Sequence, residues 1–136
     1  MKRFILSVLF VFLMAFAFAA ADDLSGTVSS ESGVPGDTVT FDVTYTNTGS
    51  TSAMTVSSTS TTLRDGTNTL SAPSIATVTV PAGSSATVSF SVSIPATAAG
   101  DYTGTITATD TSNTTNTESI DYTLTVNSKD SFTTSV

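Results

Sequence analysis

The sequence predicts an all-β chain: one antiparallel β-sandwich of seven or eight strands behind an N-terminal secretory leader. Three observations carry that prediction. Apolar residues alternate with Thr or Ser over run after run, the period of a half-buried strand. Clusters of Gly, Pro, Asn and Asp interrupt those runs and supply turn geometry. No stretch after the leader has a 3.6-residue period, so essentially no helix is expected.

The leader comes first. Lys2 and Arg3 precede an apolar run from Phe4 to Phe18, and Ala19-Ala20-Ala21 stand before Asp22-Asp23. A positive start, an apolar core and small residues at the end are the parts of a signal peptide, here residues 1–21. Phe4 to Ala21 is also just long enough to span a bilayer, but the Ala-rich end and the switch to Asp22-Asp23 favour cleavage. Residues 22–136 then form the exported chain, about 115 residues, enough for one domain with a modest core. Cleavage leaves Arg64 and Lys129 as the basic residues against 11 acidic ones, a net charge of −9. Such a chain has no basic face with which to bind nucleic acid or to hold an anionic membrane. With no Cys, an exported domain must rely on its core alone, which points to a prokaryotic surface.

Ser and Thr make up roughly 40% of the exported chain, well above ordinary usage. That bias can mark a disordered glycosylated stalk, but here the apolar residues are phased. Expected strands fall near 24–30, 38–46, 53–60, 68–71, 75–80, 86–94, 102–109 and 118–126. In the second, Val39, Phe41, Val43 and Tyr45 share one face and Thr38, Thr40, Asp42, Thr44 and Thr46 the other. Val88, Phe90, Val92 and Ile94 alternate with Thr87, Ser89, Ser91 and Ser93. Tyr102 and Ile106 alternate with Thr103, Thr105 and Thr107, and Ile120, Tyr122, Leu124 and Val126 with Asp121, Thr123 and Thr125. These apolar residues are the predicted core. The turns are Gly33–Asp37, Asn47–Ser50, Arg64–Asn68, Pro81–Ser84, Pro95–Gly100 and Asp110–Thr117. The count on residues 22–127 suits an immunoglobulin-like sandwich, followed by a short polar tail, 128–136.

GDTVTFDVTYTNTGS (36–50), a strand ending in Asn-Thr-Gly, resembles the opening of prokaryotic Ig-like modules of the CARDB and NEW3 kind. VPAGSSATVSFSVSIPATAAGDYTGTITATD (80–110) is similar to their second hallmark. The resemblance covers roughly residues 24–127. It implies a non-enzymatic module of secreted or cell-surface proteins, adhesive, spacing or assembly-related. Such modules usually sit beside catalytic domains or in tandem; this chain carries one copy.

Chemistry is sparse. His, Cys, Trp and Gln are absent, which removes a Ser-His-Asp triad, a Cys-His pair and zinc or copper sites of ordinary type. No cofactor is expected. Asp37, Asp101 and Asp110 flank turns; converging at one end of the sandwich, they would be candidate ligands for a cation, against the about six to eight oxygens that calcium takes. Asp65-Gly66-Thr67-Asn68 reads as a turn rather than a calcium loop. Asn113-Thr114-Thr115 is the only N-x-Ser/Thr sequon, and Asn113 is a candidate glycosylation acceptor in an expected loop. The hydroxyl rows read as the wet side of a sheet, because Thr is both β-branched and polar. O-glycosylation and a flat water-ordering array are the other readings, the second opposed by sheet twist.

Edge protection looks thin, with no charge on the strand near 53–60. Leu24–Ser30 or the tail could therefore add as a strand to a neighbour. The expected function is a non-enzymatic, self-assembling structural protein, secreted or at the cell surface. Its expected partners are further copies or another surface protein, without nucleic acid or stable membrane insertion. The alternative is a monomeric adhesion module that recognises a protein or glycan through its loops.

Overall fold

The computed structural model describes residues 23–96 and 99–129. The leader 1–21 and residues 130–136 of the tail lie outside the described residues. Ten strands follow in order: β1 Leu24–Val28, β2 Glu31–Gly33, β3 Thr38–Asn47, β4 Met54–Ser60, β5 Leu63–Arg64, β6 Thr69–Leu70, β7 Val78–Val80, β8 Ser85–Ser93, β9 Gly100–Asp110 and β10 Thr117–Val126. They form two layers. One is the three-stranded sheet β1-β3-β8; the other runs β2-β10-β9-β4-β7, with β5 and β6 attached beside β9.

The period-two pattern becomes two faces because successive side chains point to opposite sides of a strand. Val39, Phe41, Val43 and Tyr45 on β3 face Phe90 and Val92 on β8, and all are buried together with Ile94. From the other sheet come Tyr102, Ile106, Ile120, Tyr122, Leu124 and Val126, also buried. At the centre, Phe41 lies directly opposite Phe90 in the β3–β8 register. The two rings stack at 5.3 Å. The Tyr122 ring meets both edge-on, at 5.2 Å and 5.6 Å, geometry that suits the aromatic quadrupole. Three rings thus clamp the two sheets.

The structure departs from the sequence reading at six points. Val88, on the border strand β8, is half-buried and packs against the core rather than within it, whereas Phe90 and Val92 farther along the strand are buried. The expected first strand 24–30 ends at Val28, and a second, unexpected strand follows at Glu31–Gly33. β1 pairs with β3, the chain crosses at Ser29-Ser30, and β2 joins the opposite sheet beside β10. That second pairing is parallel, so the sandwich is not wholly antiparallel. Gly33, read as the start of a turn, is the last residue of β2. The region read as a strand at 68–71 is a small hairpin, Leu63–Arg64 with Thr69–Leu70; of 75–80 only Val78–Val80 is strand.

Gly104 shows how one residue type shapes this core. It sits mid-strand on the inward face of β9, opposite Tyr122. A Cβ there would lie 3.0 Å from Tyr122 Cε1 and 3.3 Å from Leu63 Cγ. The bare glycine lets the ring cross β9 and bring its hydroxyl 2.8 Å from Ser60 Oγ on β4.

Candidate interaction edge

The outer face of the three-stranded sheet is a ladder of polar pairs. Directly opposed residues of β3 and β8 bond to one another: Thr38 with Ser93 at 3.4 Å, Thr40 with Ser91 at 3.2 Å, Thr44 with Thr87 at 2.7 Å and Thr46 with Ser85 at 2.7 Å. In the middle rung the Ser89 hydroxyl donates to Asp42 Oδ1 at 2.6 Å. On the opposite sheet Thr105 donates to Asp121 and Thr125 to Asp101, both at 2.7 Å. The hydroxyl rows are therefore the exposed face, and most rungs are satisfied by their cross-strand partner.

The sheet borders differ from one another. β4, read as an exposed border near 53–60, lies inside its sheet between β9 and β7. The borders are β6 of two residues, β2 and β7 of three each, β1 of five, and β8 of nine. Of Leu24–Ser30, considered as a strand to lend, Leu24–Val28 is paired along its length with β3 of its own chain. β8 reads SATVSFSVS. It holds no charge and no proline, and its register with β3 runs unbroken from Ser93 to Ser85. Among the described residues its other flank makes no backbone hydrogen bond. Lysines, prolines and bulges are the usual guards of such an edge; β8 has none.

Beside the far end of β8 the chain 69–74 leaves an open cleft of about 670 Å³, lined among others by Asp37, Thr38, Ser71, Pro73 and Ser93. The turn beneath it is tight. Gly36, at φ +99°, donates to the Ile94 carbonyl at 2.8 Å, and Ile94 N–H returns a bond to Asp37 O at 2.8 Å. A positive φ at this point favours glycine.

The acidic candidates do not meet. Asp101 and Asp110 stand at opposite ends of β9, about 30 Å apart at about 3.3 Å per residue. Asp37 accepts from Val34 N–H at 3.0 Å as a turn residue. Asp110 is buried and takes both the N–H and the hydroxyl of Ser112. Among the described residues no three His, Cys, Asp or Glu side chains gather as a metal site would need. Asp65 closes its own turn, accepting from Thr67 N–H, Asn68 N–H and Asn68 Nδ2. The Asn68 side chain and backbone donors hold its carboxyl below the usual range. Tyr45 and Tyr122 are pushed above the ordinary tyrosine value by burial, opposed by bonds to Ser58 and Ser60. The two hydroxyls tie Tyr45 and Tyr122 to Ser58 and Ser60 of β4, and Tyr122 also lines an open cleft with Arg64, Thr105 and Asp121. Among the described residues no helix is long and apolar enough to cross a membrane.

Residues 34–111 match the family model described as the NPCBM-associated NEW3 domain of alpha-galactosidase. No curated protein sequence matches the chain. Among solved structures, a family 123 glycoside hydrolase from Clostridium perfringens is similar at TM-score 0.62 and 12% identity, over 78% of this chain and 27% of that one. The chain thus spans about a quarter of that enzyme. A CARDB domain from Pyrococcus furiosus, solved with di-metal ions, is similar at TM-score 0.57 and 13% identity, over 80% of this chain and 91% of that one. The secreted serine protease VesC from Vibrio cholerae is similar at TM-score 0.52 and 17% identity, over 76% of this chain and 23% of that one. Likeness at these identities is likeness of fold.

Proposed function

The chain belongs to the NPCBM-associated NEW3 domain family, and from that premise we propose that it is a non-enzymatic structural module, secreted or held at the cell surface, that assembles by strand addition at β8. The observation that carries the reading is the unguarded nine-residue edge. An added strand would satisfy the free N–H and C=O groups of β8 and extend the sheet. Only β8 is long enough to give a neighbour many ladder bonds; the other borders have five residues or fewer. Residues 128–136 follow β10 and are the candidate donor, since Leu24–Val28 is occupied within its own chain. The acidic surface keeps the free subunit soluble until that contact forms.

The test is negative-stain electron microscopy with light scattering on the exported chain at rising concentration. Filaments or sheets are expected, and the double variant Thr87→Lys, Ser91→Lys abolishes them without changing the melting temperature by more than a few degrees. Both residues are exposed, so the lysines guard the edge and leave the core alone. Assembly that persists in the double variant overturns β8 as the contact.

A second reading, a monomeric adhesion module that takes a protein or glycan through its loops, draws on the cleft between β8 and residues 69–74. A persistent monomer stabilised by a ligand would favour it.

A further inference from the structure

We infer that Asn113 is an N-glycosylation site, its side-chain amide presented for transfer of a lipid-linked saccharide at the β9–β10 turn. Asn113, Thr114 and Thr115 are all exposed at that turn. The turn is held by residues on either side of them. Thr111 N–H bonds to Thr55 O at 2.9 Å, which fixes the turn to β4. Asp110 Oδ1 takes Ser112, and Asn116 Oδ1 takes Leu24 N–H at 3.1 Å. Asn113 contributes its backbone, bonding through N–H to Asp110 O and through its carbonyl to Asn116 N–H. Its side chain anchors nothing outside the sequon.

Inside the sequon the geometry is defined. The Thr115 hydroxyl donates to Asn113 Oδ1 at 2.7 Å. That bond occupies the carbonyl side of the amide and leaves Nδ2 without a hydrogen-bond partner among the described residues. Other asparagines of the fold are used differently. Asn47 Nδ2 donates to Ser52 O at 2.9 Å, Asn68 Nδ2 to Asp65 Oδ2 at 3.0 Å, and Asn116 Nδ2 approaches Met54 Sδ at 3.8 Å. Those three amides anchor turns; the amide of Asn113 is free to react.

In the transfer, Nδ2 attacks the anomeric carbon of a saccharide carried on a polyprenyl phosphate or pyrophosphate. A C–N bond forms, the anomeric C–O bond to phosphate breaks, and the lipid phosphate leaves with that electron pair. The amide proton passes to a base of the transferring enzyme. Nothing is oxidised or reduced. The attached saccharide would stand at the end of the sandwich where β1 begins, a strand's length from the cleft beside Ser93. The inference rests on the export expected from the sequence, and not on assembly through β8.

The experiment incubates the full exported chain with a single-subunit oligosaccharyltransferase and its lipid-linked donor, with an Asn-Thr-Thr peptide as an internal standard acceptor. Intact mass is expected to rise by one donor saccharide. The gain is lost completely in Asn113→Gln and in Thr115→Ala and persists in Thr115→Ser, with all three variants melting as the parent does. A chain that stays at its unmodified mass while the standard is consumed overturns the inference, as does a gain that survives in Asn113→Gln.

Discussion

Replacing Phe90 with alanine tests the core assignment at its centre. Phe90 is 3% exposed. It stacks on Phe41 at 5.3 Å and meets Tyr122 edge-on at 5.6 Å. The substitution removes the transfer free energy of the ring and leaves a cavity between two rigid sheets, together about 3–5 kcal/mol. The lost ring contacts, worth about 0.5–1.5 kcal/mol each beyond area, push the value to the upper part of that range. A domain of this size has only about 5–15 kcal/mol in total, so the variant keeps a fraction of its stability. Its melting temperature should fall by more than about 12 °C. Urea unfolding followed by circular dichroism gives the difference directly, with the slope unchanged if the unfolded surface is the same. The control is Thr105→Ala, which removes one exposed bond to Asp121 and should cost about 1 kcal/mol or less. Equal and mild effects in the two variants would refute the assignment of faces.

Two further outcomes follow from the same core. Gly104→Ala should destabilise by about 1–3 kcal/mol through overpacking, because its methyl meets the Tyr122 ring at 3.0 Å; denaturant unfolding with near-ultraviolet dichroism reads both the loss and the displaced ring, and an unchanged stability would show that the ring yields freely. Burial raises the hydroxyl pKa of Tyr45 and Tyr122 above 10.0, so the unfolded chain ionises first; this contribution is complete below about pH 10 and is lost as pH rises through the folded values. A urea midpoint that falls as pH rises above about 10, with a shallower fall in the double variant Tyr45→Phe, Tyr122→Phe, is the expected result; equal slopes would refute it.

The long strands were legible because their alternation is nearly perfect. Val39 to Tyr45 and Ile120 to Val126 keep every second residue apolar, and a slip of one would turn the whole row outward. The short elements were not legible. Glu31–Gly33 has no apolar residue at all and is strand only because β10 offers it a parallel edge, a tertiary fact invisible to local pattern. Leu63–Arg64 was hidden by the Asp-Gly turn that follows it. Val88 fits the alternation as well as Phe90 does; only the sheet order reveals that β8 is a border. The same ignorance of sheet order made β4 look exposed; Asp101 and Asp110 could not converge because they stand near opposite ends of one eleven-residue strand. At Asn113 the sequon was visible in sequence, whereas the freedom of its amide depends on bonds that the flanking residues make.

The polar ladder and the open edge belong to one physical arrangement. A hydroxyl pair such as Thr44 with Thr87 at 2.7 Å satisfies itself, and a ligand on that face would have to replace bonds already made, for little net gain. The backbone groups on the free flank of β8 are in the opposite position. Water alone satisfies them, and a strand in register would exchange those water bonds for ladder bonds while covering half-buried Ala86 and Val88. Apolar burial then supplies the surplus that hydrogen-bond exchange does not. The same Ser/Thr composition that satisfies the broad face thus leaves the edge without charge, and the proposed strand addition rests on that edge rather than on the face.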